Sequence, residues 1–187
     1  PHFQVEGAQG LAFERLLSPN TFCERSVMFD LNYFKYCFLK TADLPFDEMR
    51  LEDNFEALTK DLVEGVDNEV FFLYRDFQSR NVMVCDTNSY MIDFQGGRRG
   101  PLPYDVASFL WQASAGYPQA LRDRLIEEYL DELNSLRPVD REQFRSDLRR
   151  FVLFRLLQVL GAYGLRGRFE RKPYFLQSIP PALENVH

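Results

Sequence analysis

The sequence predicts a mainly α fold of the α+β class, a helical body around a small central β-hairpin. Three observations predict it. Apolar residues recur at three- and four-residue steps over most of the chain, the period of an amphipathic helix. A central stretch, residues 69–92, breaks that period with short apolar runs bounded by turn residues. No internal repeat or low-complexity tract competes with either pattern.

Taken in order, residues 1–25 carry no sustained period and are predicted to be a linker, with residues 26–187 forming one lobe. The first helix spans about 26–40, with Met28, Leu31, Phe34 and Phe38 on one face. Asp43-Leu44-Pro45 breaks it. Phe46-Asp47-Glu48 opens a second helix, its acidic first turn matching the macrodipole. The stripe Leu51, Phe55, Leu58, Leu62 carries that helix to Gly65.

Glu69–Tyr74 and Asn81–Cys85 then read as strands. Asp86-Thr87-Asn88-Ser89 reads as a turn and Tyr90-Met91-Ile92 as the return strand of a hairpin. Gly96–Pro101 is predicted to be loop. Three more helices follow: from Pro103 or Tyr104 to Ala113, from Pro118 to about Leu136, and from Pro138 to about Tyr163. Residues 172–187 are expected to drape over the body.

The composition bounds the chemistry. The chain has 187 residues, enough for one domain, and starts at Pro1 rather than Met, so an excised piece is expected. A net charge of −6 argues against a nucleic-acid partner. No apolar run has the length of a bilayer span, so no membrane partner is expected and the cytoplasm is the predicted compartment. The two histidines, His2 and His187, sit at the chain ends, where side chains are usually poorly fixed. That disfavours a catalytic triad or a His-ligated zinc. Cys23, Cys37 and Cys85 are widely spaced and odd in number, which predicts buried thiols rather than a disulfide framework. Catalysis would rest on carboxylates, amides and a bound cation.

Residues 71–105 concentrate such groups. Asn81 precedes one hairpin strand and Asp93 follows the other, so both should emerge at its open end, across strands about 4.7–4.9 Å apart. One amide oxygen and one carboxylate there suit Mg²⁺. Asp76 lies five residues before Asn81, within reach of the same place. The order strand, Arg-Asp, four residues, Asn, hairpin, Asp-Phe has the spacing of a kinase catalytic loop and its metal-binding Asp.

Three segments carry a resemblance: Tyr74-Arg75-Asp76-Phe77-Gln78-Ser79-Arg80-Asn81, Ile92-Asp93-Phe94-Gln95, and Gly100-Pro101-Leu102-Pro103-Tyr104-Asp105-Val106-Ala107-Ser108. They resemble the C-terminal lobe of aminoglycoside phosphotransferase-like kinases, which share the protein-kinase fold. Within that group they look most like predicted phosphotransferases related to kinases of the cell-wall amino sugars N-acetylmuramate and N-acetylglucosamine. The resemblance implies an ATP-dependent phosphotransferase acting on a small-molecule hydroxyl, with Asp76 as catalytic base and Asn81 and Asp93 as Mg²⁺ ligands. It implies that Asp105, with Arg75, braces the loop; a helix N-terminal cap would also suit Asp105. Arg80, Gln95, Arg98 and Arg99 are candidates for phosphate or substrate contact.

Tyr74 stands where His is common, which bears on loop packing. Arg75 stands where many antibiotic kinases have Gly, so an aminoglycoside substrate is not supported. No Gly-rich loop or strand lysine precedes Asp76. The resemblance therefore makes an N-terminal lobe of the same protein a required partner, and the fragment alone is expected to be almost inactive. Two alternatives remain open at this level: a kinase-fold binding module without turnover, and a choline-type kinase.

Overall fold

The structure, a computed structural model, describes residues 1–64 and 70–185. The leading segment is more ordered than its irregular sequence predicts. It holds a one-turn helix α1 (His2–Val5) and a 3₁₀ turn at Phe13–Arg15. Ala8 packs with Phe72 and Tyr74, with Leu11, Phe13 and Leu16 against them, and Phe22 lies on the main core. Apolar residues scattered over a one-turn helix, a 3₁₀ turn and the segments between them leave no period to read. His2 is fixed as well: its ring nitrogens lie 3.0 Å from Glu6 and 2.6 Å from Glu132. These two hydrogen bonds hold its pKa above the ordinary imidazole value.

Helix α2 (Glu24–Phe34) runs on into a π-helical turn at Lys35–Leu39. Its start is closed by Ser26, whose hydroxyl accepts from the Cys23 N–H at 3.1 Å. Helix α3 (Glu48–Glu64) buries Phe55 and Leu62 as its stripe predicts. Buried Lys35 ties the two segments together through Glu52 and Glu48. The predicted end of α3 at Gly65 and the first strand residue, Glu69, lie outside the described residues.

Strand β1 is only Phe72–Leu73. Strands β2 (Val82–Cys85) and β3 (Asn88–Met91) form the antiparallel hairpin, with Val82 opposite Met91 and Cys85 opposite Asn88. Its turn is tighter than predicted. Asp86 takes a φ of 56°, so Asp86-Thr87 makes the reversal and Asn88 and Ser89 join the strand. Strand β4 (Arg98–Arg99) replaces part of the predicted Gly96–Pro101 loop: it pairs antiparallel with β1, and Arg99 also bridges to Thr21. A two-residue strand has no periodicity, so only its partners reveal it.

Helix α4 (Leu102–Leu110) is buried on almost every side. Helix α5 (Gln119–Leu136) follows Pro118, and α6 (Arg141–Gly164) is capped by Asp140, which accepts from the N–H groups of Glu142 and Gln143. That cap, not Pro138, sets the start. A second π-helical turn, Leu165–Phe169, leads to α7 (Pro173–Gln177) and α8 (Ile179–Glu184), so the C-terminal segment is helical where it covers the body.

The core centres on Val27, Leu31, Leu130, Leu133, Phe151 and Phe154, all fully shielded from solvent. Two glycines let α2 and its π turn meet α6 backbone to backbone. A Cβ at Gly161 would lie 2.9 Å from the Phe34 nitrogen, and one at Gly164 would lie 2.2 Å from the Cys37 carbonyl oxygen. The hairpin is not part of this core. The helices were expected to bury it, but β3 is exposed throughout and only Val82 of β2 is partly covered. Cys85 is accordingly exposed, against the expectation of buried thiols; Cys23 and Cys37 are half-buried, and all three are free.

Candidate active site

The site is assembled where β1, the hairpin and α4 meet. Asp105 sits in the first turn of α4 but does not cap it, since the helix starts at Leu102. Its carboxylate crosses to the turn after β1. There it accepts from the Tyr74 N–H at 2.8 Å and the Arg75 N–H at 2.9 Å, with the Gln4 amide at 3.2 Å. Gln4 is held in turn by the Tyr129 hydroxyl at 2.7 Å. Burial pushes the Asp105 carboxyl up to about 6, against the pull of these hydrogen bonds. The bond to Arg75 holds a residue with a φ of 78°, a conformation that a non-glycine residue takes only under constraint. So the bracing contact of Arg75 is made by its main chain, while its side chain lines a cavity.

Asp76 follows this turn. Asn81, buried on a 3₁₀ turn, donates its amide to the Asp76 carbonyl at 2.8 Å. The Asn81 carbonyl accepts from the Ile92 N–H at 3.0 Å, extending the hairpin ladder by one residue. The open end of the hairpin thus brings Asn81 beside Ile92 and Asp93. Tyr74 closes the junction: its hydroxyl donates to the Ile92 carbonyl, and its ring packs on Phe3 and Phe77. Burial raises the Tyr74 pKa, and the charges of Asp93, Asp105 and Asp76 add to that. One phenol therefore senses all three carboxylates.

Asp93 is exposed, takes a φ of 67°, and accepts from the Gln95 amide. Among the described residues no cluster of three or more His, Cys, Asp or Glu side chains is suited to a metal. The Asn81 amide oxygen and the Asp93 carboxylate still fit Mg²⁺, a hard ion that takes few protein ligands and completes its shell with water and phosphate.

Beside the junction opens a cavity of about 540 Å³ between the 17–30 segment and the β4 region. A Cβ at Gly96, on its wall, would lie 3.9 Å from the Asp76 Oδ2 and 3.6 Å from the Arg75 Cδ. Of the predicted contact residues, Gln95 and Arg98 line it; Arg80, exposed on the 3₁₀ turn, and Arg99, whose main chain joins β4 to residues 20–22, do not. Two residues absent from the sequence reading, Arg25 and Asp30 of α2, do line it. Asp30 accepts from the Gln158 amide, and Gln158 is bound by the Tyr104 hydroxyl at 2.9 Å and by Arg155. Nothing local marks them, because they lie far along the chain from the motif and become neighbours only when α2 packs on α6.

Comparison with known proteins gives the family of the chain. The model of the phosphotransferase enzyme family, APH, matches residues 13–139. An N-acetylmuramate/N-acetylglucosamine kinase of Pseudomonas aeruginosa is 27% identical over 112 residues, covering 58% of this chain and 33% of the relative. A protein of the same name from Pseudomonas putida is 26% identical over 111 residues, again covering 58% of this chain and 33% of the relative. The matched part therefore spans about a third of these relatives. With the family model covering more than half of the chain, this chain belongs to the phosphotransferase enzyme family.

Proposed function

We propose that the protein containing this chain transfers the γ-phosphoryl group of ATP to a hydroxyl of a sugar or amino sugar. The observation that carries this reading is the junction at Tyr74. There one residue joins three parts: Tyr74 belongs to the turn that bears Asp76, its main-chain N–H donates to the Asp105 brace, and its hydroxyl donates to the Ile92 carbonyl at the hairpin end that bears Asp93. The names of the two relatives direct the acceptor toward amino sugars.

Asp76 would accept the proton of the attacking hydroxyl, a contribution of about 10²–10⁴-fold. Asn81 and Asp93 would hold Mg²⁺, which when bound offsets charge on the transferring phosphoryl group. Gln95 would fix the Asp93 carboxylate, and Asn81 would fix the Asp76 main chain through its amide N–H. Arg80, Gln95, Arg98 and Arg99 are the candidates for phosphate or acceptor contact. The N-terminal lobe that clamps the nucleotide would come from another part of the same protein, and the compartment would be the cytoplasm.

The test uses the full-length protein. Asp93→Asn is expected to abolish Mg²⁺-dependent phosphorylation of amino sugars, and Asp76→Asn to lower kcat by about 10²–10⁴-fold with little change in nucleotide affinity. Unchanged turnover in either variant would sink the assignment.

A further inference from the structure

Arg98 stands out among the cavity residues. It is 7% exposed, and its Nε reaches only the Gly96 carbonyl, at 3.4 Å. No carboxylate oxygen of the described residues comes within 4.0 Å of its guanidinium. Burial disfavours its charge and the like charge of Arg75 adds to that, with Tyr104, Asp30 and Cys23 offsetting only part of it. Proteins normally pair a cation taken out of water, because an uncompensated buried charge is strongly disfavoured. Arg75 lines the same cavity and also has no carboxylate of the described residues within 4.0 Å; Arg25 adds a third positive charge at the exposed rim. Asp30 is the single carboxylate on the wall among the described residues, and its Oδ2 is engaged by Gln158. The cavity therefore sets two inner guanidiniums and the rim arginine against one carboxylate, Asp30, whose charge acts on both inner arginines.

We propose that Arg75 and Arg98 form a subsite for an anionic group, a carboxylate or a phosphate ester, carried by the sugar acceptor. The place of that sugar beside Asp76 rests on the phosphotransferase reading; the anion subsite rests on the two arginines. The spatial fit is direct. Gly96 borders both the Arg75 side chain and the Asp76 carboxylate. One monosaccharide could thus set its anion on the arginines and a hydroxyl at Asp76. A cavity of about 540 Å³ has the size of a small-ligand pocket. Planar guanidiniums suit the two oxygens of a carboxylate or phosphate. Asp30 remains as an acceptor for a sugar hydroxyl.

The experiment titrates full-length protein, without nucleotide, with N-acetylmuramate, N-acetylglucosamine 6-phosphate and neutral N-acetylglucosamine. One of the two acids is expected to bind at least about tenfold more tightly than the neutral sugar, and which one identifies the anion. Arg75→Gly suits the φ of 78° and so removes the charge without straining the turn. It is expected to erase the preference, and so is Arg98→Met. Equal affinity for acidic and neutral sugars, or a preference that survives both replacements, overturns the proposal. So does a loss of MgATP affinity as large as the loss for the acid, since the pair would then serve the donor. Ligand-free Arg98→Met is expected to melt at or above the parent, because it removes an unpaired buried charge; a drop of several degrees would make Arg98 structural and overturn the proposal. If the acid preference holds but no sugar is phosphorylated, the anion subsite stands and the phosphotransferase reading fails.

Discussion

The two segments that carry the candidate carboxylates are held in opposite ways. The turn at residues 74–76 is locked from inside the fold. Asp105 takes two of its N–H groups, Gln4 and Tyr129 extend that contact, and Asn81 takes the Asp76 carbonyl. The hairpin that delivers Asp93 stands away from the body, with Val84 72% and Phe94 60% exposed. Buried, satisfied hydrogen bonds fix a turn to one geometry; an uncovered two-stranded hairpin has little stability of its own. The contrast teaches that the site is half preorganised. The Asp76 side is finished by this chain, whereas the Asp93 side presents apolar surface that the nucleotide and the remainder of the protein would cover under the proposed function.

Three experiments would break or sharpen that contrast. Removing the brace should have the largest effect. Asp105→Ala strips a buried acceptor from Tyr74, Arg75 and Gln4, and the cost should be about 3–5 kcal/mol in chemical denaturation. A loss below about 1 kcal/mol would mean the turn is not held from inside.

The second effect is a pH dependence. Burial raises the folded-state Asp105 pKa from its ordinary value of 3.8 to about 6. Between those values the folded state binds more protons than the unfolded one, so stability from this group is full below about pH 4 and falls as pH rises to about 6. The Asp105→Asn variant cannot titrate there. Parent stability measured relative to it should decline across that window, by up to about 3 kcal/mol. A flat or rising difference would contradict the burial argument.

The smallest effect belongs to the hairpin. Val84→Lys should change stability by no more than about 0.5 kcal/mol, since the side chain touches little. A large loss would mean that the hairpin is structurally coupled to the core.

Much of this was legible in the sequence, and for identifiable reasons. The long helices announce themselves because a buried stripe must recur with the helical period: Leu31, Phe34 and Phe38 lie on the core as their spacing predicts, and so do Phe55 and Leu62. The neighbourhood of Asn81 and Asp93 follows from hairpin pairing alone. The short elements were not legible. Arg98–Arg99 pairs with Phe72–Leu73 over two residues, too few for any alternation to show. The leading segment likewise gains its order from distant residues such as Phe72, Tyr74, Asp105 and Tyr129.

By itself the sequence determined the helical class, the order of the motif and the family resemblance, because these depend on local spacing and residue type. Only the tertiary structure decided that Asp105 reaches across to the Tyr74 turn instead of capping its own helix. It also decided that the hairpin is left uncovered, and that Arg25, Asp30, Arg75 and Arg98 share one cavity. The physical reason is the same in each case. These features are set by which surfaces pack together, α2 on α6 through Gly161 and Gly164 above all, and such contacts join residues too far apart in the chain to leave a local signal.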